Sequence, residues 1–193
     1  HPEDLPGFLR RRLRCCIRDG RLRFEADQDS LTQWRNRRSG EKKLKLLLEQ
    51  GKREHHCFVL MMIDLDKFKP INDNFGHDVG DEVLVMTSQR MMEHFDERQD
   101  VCVRWGGDEF VIGFLQLEYD IQAIERLSTE LLEELRQPYV ISPTITCDLS
   151  ASIGVVIASD TESDLVDLLV QADEKMYQVK QSGRDQFIVT HFT

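Results

Sequence analysis

The chain has 193 residues, 40% of them hydrophobic and 31% charged, enough for one ordinary domain with a buried core plus a short extra segment. Its net charge of −10 argues against general nucleic-acid binding but leaves room for a nucleotide site, because a metal ion and a few local cations suffice for phosphates. No apolar run approaches the roughly 20 residues that span a bilayer; residues 57–63 form the longest, so no membrane contact is expected of this chain.

The start at His1-Pro2, with neither a methionine nor a signal-peptide pattern, reads as that of an excised fragment, with upstream sensor or membrane segments missing. Residues 9–24 carry Arg10, Arg11, Arg12, Arg14, Arg18, Arg21 and Arg23, with Leu9, Leu13 and Cys16 at helical spacing. This predicts a basic amphipathic helix, read as a connector from an upstream domain rather than a nucleic-acid or lipid contact. Residues 1–28 are assigned to this helical extension and residues 29–193 to the main domain.

Residues 29–38 read as a capped turn, and 39–50 as a helix that buries Leu44, Leu47 and Leu48 and stops at Gly51. Residues 57–64 are too continuously apolar for an exposed strand; they predict a central strand, covered on both faces and ending in a carboxylate. A helix over 81–95 turns Val83, Leu84, Met91 and Met92 inward. Strands 100–105 and 110–115 flank Gly106-Gly107 as a hairpin with an acidic pair at its turn. A helix over 120–136 stops before Pro138, and strand 149–158, helix 163–181 and strand 186–190 complete the order. The fold class is α+β, a central, mostly antiparallel five-stranded sheet flanked by helices. The five cysteines show no metal-ligand spacing and read as reduced, buried thiols in a cytosolic protein, with disulfides as the alternative.

Asp64 ends the central strand and Asp108 sits in the hairpin turn. If the two strands are neighbours, both carboxylates converge at one edge of the sheet, where they repel unless protonated or bridged by a cation. Oxygen ligands of this kind suit Mg²⁺, which keeps waters and substrate phosphates in its shell. On its own, however, Gly-Gly-Asp-Glu is a polar turn.

Its context decides the reading. Asp29-Ser30-Leu31-Thr32 with Asn36-Arg37-Arg38, the run from Asp64 through Asp66, Lys67, Phe68, Lys69 and Pro70 to Asn72-Asp73, Phe75-Gly76-His77, Gly80-Asp81-Glu82-Val83-Leu84, Arg104-Trp105-Gly106-Gly107-Asp108-Glu109-Phe110, Ser152-Ile153-Gly154-Val155 and the closing Ala172-Asp173, Met176-Tyr177, Lys180 and Gly183-Arg184 together resemble the GGDEF family of diguanylate cyclases. The resemblance implies a nucleotidyl-cyclase, polymerase-palm-like fold. It also implies the joining of two GTP molecules into cyclic di-GMP with release of pyrophosphate, by a homodimer of half-sites that depends on Mg²⁺ (or Mn²⁺). By motif position Asp64 and Asp108 are implied metal ligands with the Leu65 carbonyl, and Glu109 a second metal ligand or a proton acceptor for the attacking 3′-hydroxyl. Asn72 and Asp81 match guanine-recognition positions: a carboxylate accepts from guanine N1–H and the 2-amino group, which adenine does not offer. Asp81 also suits the start of a helix. Lys69, Lys180 and Arg184 match phosphate contacts, helped by backbone N–H groups around Lys67 and Phe68; Arg184 is expected to approach from a loop. His77 reads as loop-fixing. Asp66 reads as a supporting acid opposite Asp64 in strand alternation, and Asp73 as a turn or cap residue.

The sequence departs from the family pattern at Glu97, which stands where an Arg-x-x-Asp product-binding motif ending at Asp100 carries arginine. An acid there repels a dinucleotide's phosphates, so product inhibition through this site is expected to be absent. Gln33, Trp105 and Asp185 replace a glycine, a tyrosine and an asparagine. The expected function is the cytoplasmic C-terminal output domain of a larger signalling protein; a silent GTP-sensing module and an enzyme of shifted specificity are the alternatives.

Overall fold

The computed structural model describes residues 26–96, 98–159 and 163–192. Most of the expected basic connector, residues 1–25, and Glu97 lie outside the described residues. The elements are β1 (Arg35–Asn36), α1 (Arg37–Glu54), β2 (Cys57–Asp66), α2 (Phe68–Phe75), α3 (His77–Met92), β3 (Val101–Gly106), β4 (Glu109–Gln116), α4 (Ile121–Leu135), β5 (Tyr139–Ser142), β6 (Ile145–Cys147), β7 (Ser150–Ala158), α5 (Leu165–Gln181) and β8 (Gln186–His191).

The apolar run of β2 is continuous because both of its faces are covered. Cys57, Val59, Met61, Ile63 and Leu65 pack with Val83, Leu84 and Met91 of α3 and with Ile124, Leu131 and Leu135 of α4. The alternate residues Phe58, Leu60 and Met62 pack with Leu44, Leu47 and Leu48 of α1 and Leu165, Leu168, Ala172 and Met176 of α5. The period of two sends successive side chains to opposite layers, and each such burial is worth roughly 1.5–3 kcal/mol. The result is a three-layer α+β domain with β2 at its centre.

The main sheet has the order β1-β3-β4-β2-β7-β8, six strands rather than the expected five. Its three inner pairs are antiparallel and its two outer pairs, β1 with β3 and β7 with β8, parallel. The sixth strand, β1, is two residues long, too short to display alternation. The hairpin β5–β6 lies outside this sheet and was not anticipated either.

Three helices differ from expectation. Helix α1 is capped by the Asn36 side chain, which accepts from the Ser39 N–H, and it runs past Gly51 to a left-handed His55 at φ 58°. Gly51 is buried inside the helix, where a Cβ would come within 2.8 Å of the Leu115 side chain, so it answers to packing rather than to termination. Helix α2 was not among the expected elements; its Pro70 stands in the first turn, where the N–H it lacks has no helical partner. Helix α3 starts at His77, not Asp81, so His77 opens the helix rather than lying in a loop, and Asp73 belongs to α2 rather than to a turn. Cys57, Cys102 and Cys147 are buried thiols. Among the described residues no helix is long and apolar enough to cross a membrane.

Candidate active site at the end of the central strand

The C-terminal end of β2 carries the acidic site. Asp64 pairs in register with Glu109 of β4 on one side and Ser152 of β7 on the other. Directly opposed residues of an antiparallel pair share a face, with Cβ atoms roughly 4.5–5.5 Å apart, so Asp64 and Glu109 stand side by side. Asp108 stands one residue before Glu109, in the turn, and its carbonyl accepts from the Leu65 N–H at 3.3 Å.

The turn closes through Gly106 paired with Glu109. Gly107 has φ +48°, a conformation that suits glycine, and a Cβ at either glycine would meet nothing within 4 Å. Open space therefore lies beside the acids. Two anchors hold the turn. Phe110 is fully buried and meets Trp34 edge-on, with ring centroids 5.3 Å apart. Arg104 donates through Nε and Nη2 to the Gly107 carbonyl at 3.1 and 2.9 Å, and through Nη1 to both Asp29 carboxylate oxygens. The Arg104–Asp29 pair, 75 residues apart in sequence, is invisible to local patterns although both residues stand in the family motifs. Burial alone would raise the Asp29 carboxyl, but hydrogen bonds from Thr32 and the Arg104 guanidinium bring it below its ordinary value.

Lys180 comes from α5, whose backbone lies against β7: a Cβ at Gly154 would stand 2.1 Å from the Ala172 carbonyl. Two turns further along, Lys180 Nζ reaches Asp64 Oδ2 at 2.8 Å. Asp64 is still pushed above the usual carboxylate range. Burial is the main cause, Asp108 and Glu109 add to it by repulsion, and Lys180 opposes it.

Asp66 lies on the same face as Asp64, not opposite to it, because residues two apart in a strand point the same way. It is 3% exposed and accepts from Ser150 Oγ (2.9 Å), Ser152 Oγ (2.8 Å) and the Asp185 N–H (2.9 Å), with Arg184 Nε at 3.8 Å. Arg184 is in a loop after α5, as expected, at φ +67°. Asp185 adds an ion pair with Arg136 at 2.7 Å.

The guanine-recognition candidates are grouped by α2 packing on α3. A Cβ on Gly80 would stand 1.9 Å from Asn72 Oδ1, so Asn72 rests on the helix that carries Asp81 in the next position. Asn72 is half-buried, and Asp81, Lys67 and Lys69 are exposed. Lys67 caps α2 at φ +61°, and Phe68 buries its ring. Among the described residues no three carboxylate, imidazole or thiol groups form a ready-made cage for a metal ion. A cation that takes one or two carboxylates and completes its shell with phosphates and waters still fits the oxygen-only donors of Asp64, Asp108 and Glu109.

The diguanylate cyclase GGDEF-domain family model matches residues 26–186, and the chain belongs to this family. It is 32% identical over 168 residues to the probable diguanylate cyclase DgcE of Escherichia coli, covering 87% of this chain and 15% of that protein. It is 35% identical to the probable diguanylate cyclase DgcC of the same organism, covering 86% and 44%. The cyclic di-GMP phosphodiesterase PdeR of Escherichia coli is 32% identical, covering 88% and 25%. The chain thus spans less than half the length of these relatives. Among solved structures, the diguanylate cyclase SiaD of Pseudomonas aeruginosa, in complex with its activator SiaC, matches with TM-score 0.78 at 30% identity, covering 94% of this chain and 69% of that one. The GGDEF domain of PA1120 (YfiN or TpbB) from the same organism matches with TM-score 0.74 at 28% identity, covering 84% and 99%.

Proposed function

We propose that this chain is an active diguanylate cyclase that joins two GTP molecules into cyclic di-GMP as a homodimer of half-sites. The observation that carries the reading is the acid cluster at the end of β2: Asp64 opposite Glu109 in register, with Asp108 and Glu109 both raising the Asp64 carboxyl. A fold gains nothing from such repulsion, whereas a cation relieves it. Asp64, Asp108 and the Leu65 carbonyl would hold Mg²⁺ or Mn²⁺, with Glu109 as a further ligand or as the acceptor of the 3′-hydroxyl proton. When bound, the cation polarises the α-phosphate and neutralises charge on the leaving pyrophosphate.

The chain's own residues bind and orient. Asp81 and Asn72 accept and donate at the guanine edge, so that adenine leaves their polar groups unpaired and is rejected. Lys69, Lys180 and Arg184, with the backbone N–H groups at Lys67 and Phe68, take the phosphates. One GTP per chain makes encounter of two copies the regulated step, set by an upstream domain through the segment before residue 29. The domain works in the cytoplasm. Glu97, in place of the product-motif arginine, leaves the enzyme without feedback through that surface; Asp100 is already engaged by the Asp96 N–H at 2.8 Å.

A silent nucleotide-binding module is the second reading, and the observation that favours it is the Lys180–Asp64 ion pair, which already counters part of the charge. One experiment separates the two. Fused to a dimerising partner and given GTP and Mg²⁺, the chain is expected to release cyclic di-GMP and pyrophosphate, and Asp108→Ala or Glu109→Ala to abolish both. GTP binding by the parent without any cyclic di-GMP would establish the silent module instead.

A further inference from the structure

We propose that Asp66 is a positioning residue: its buried carboxylate holds the loop after α5 in the shape that presents Arg184 to the nucleotide's phosphates. This rests on the proposed GTP site and deepens it. Asp66 is 3% exposed, and a buried carboxylate is retained only where its lone pairs are satisfied. Those of Asp66 are taken by donors from two places: the hydroxyls of Ser150 and Ser152 on β7, and the backbone N–H of Asp185 in the loop. The serines fix the carboxylate to the sheet, and the carboxylate in turn fixes the loop.

The loop needs such a hold. Arg184 and Asp185 are consecutive non-glycine residues at φ +67° and +55°, a conformation that L side chains resist and that persists only where surrounding contacts over-determine it. The Arg184 N–H closes the end of α5 on the Val179 carbonyl at 3.0 Å. Asp185 is gripped from inside by Asp66 and from outside by Arg136, which donates to its carboxylate at 2.7 Å and to its carbonyl at 3.0 Å. Arg184 itself makes no hydrogen bond to Asp66; its Nε stays 3.8 Å away, and the side chain is 52% exposed. Its guanidinium is therefore aimed by the charge of Asp66 without being consumed by it.

The test is binding, by NMR titration with Mg²⁺, of two ligands: GTP, which has the phosphates, and guanosine, which lacks them. In Asp66→Asn the affinity for GTP is expected to fall about tenfold with that for guanosine unchanged, and the loss is expected to vanish in an Arg184→Ala background. Arg136→Ala, on the surface, is expected to give a smaller loss of the same pattern, and it decides the matter if Asp66→Asn does not fold. Equal losses for GTP and guanosine, or a loss that persists without Arg184, would overturn the positioning role in favour of a purely structural carboxylate. A parent that binds GTP while the variants lose nothing overturns the positioning role alone. A parent that binds GTP no better than guanosine removes the GTP site, and the positioning role with it.

Discussion

Gly80→Ala separates the stability of α3 from what the helix does for the base. Glycine inside a helix costs about 0.5–1 kcal/mol relative to alanine, so the exchange alone should stabilise. Its Cβ, however, would lie 1.9 Å from Asn72 Oδ1, 2.9 Å from Asn72 Cγ and 3.3 Å from Phe68 Cζ. No contact survives at 1.9 Å, but the obstacle is the end of a half-buried side chain rather than backbone, so Asn72 turns away and the two helices stay packed. The helix gain and the local repacking then nearly cancel, leaving stability within about 1 kcal/mol, which for a domain of this size is a shift of roughly 2–4 °C in Tm. Losing the proposed Asn72 contact with guanine should cost about 0.5–1.5 kcal/mol, a rise in KM for GTP of roughly two- to tenfold, with kcat less affected. Thermal melts and initial rates on the parent, Gly80→Ala, Asn72→Ala and the double variant measure this. In the Asn72→Ala background Gly80→Ala should raise Tm and leave KM where Asn72→Ala puts it. A large drop in Tm that persists without Asn72 would refute the reasoning, as would an unchanged KM in Gly80→Ala.

Arg104→Ala should destabilise by about 2–3 kcal/mol in urea unfolding, because it removes the only cation paired with the partly buried Asp29 carboxylate among the described residues, leaving it to Thr32, and takes both donors from the Gly107 carbonyl; Arg104→Lys should recover little, since an ammonium cannot serve Gly107 and Asp29 together. Asp64→Asn tests the raised carboxyl. The native chain holds the Asp64 proton to a higher pH than the unfolded chain, so the stability linked to this group is present at low pH and lost as pH rises through the native value. Without added metal the variant should therefore melt above the parent at about pH 8 and lose that advantage toward about pH 4; a variant melting below the parent at about pH 8 would count against the acid cluster being strained. Gln33 sits at φ +62°, and Gln33→Gly should stabilise by roughly 0.5–1 kcal/mol in the same urea assay, a neutral or negative change speaking against strain there. Added cyclic di-GMP should leave the parent's initial rate unchanged and slow Glu97→Arg, since the arginine restores the anion-binding side chain of the Arg-x-x-Asp window; inhibition of the parent would contradict the role given to Glu97.

What could be read before folding was everything that repeats locally. The continuous apolar run of β2 announced a strand covered on both faces, the glycine pair with its acids announced a hairpin, and the order of helices and strands announced an α+β sheet. The separated motifs carried the family and the acids with it. Helix α2 was hidden by its eight-residue length and β1 by its two residues, since a period needs several repeats to show.

Pairings between distant segments had no sequence signature at all. Arg104 finds Asp29, Lys180 finds Asp64, and Asp66 finds Ser150, Ser152 and Asp185 only because strands, a helix and loops far apart in the chain are packed together around the sheet. The sequence by itself determined that Asp64 closes the apolar run of β2 and that Asp108 and Glu109 stand at the turn, because hydrophobic runs and turn chemistry are properties of a few consecutive residues; that β2 continues to Asp66 was decided by pairing with β7. The tertiary structure alone decided which charge faces which. That follows from register and helix packing, set by the burial of apolar faces along the whole sheet, and it gave Asp64 a lysine and Asp66 a loop to hold.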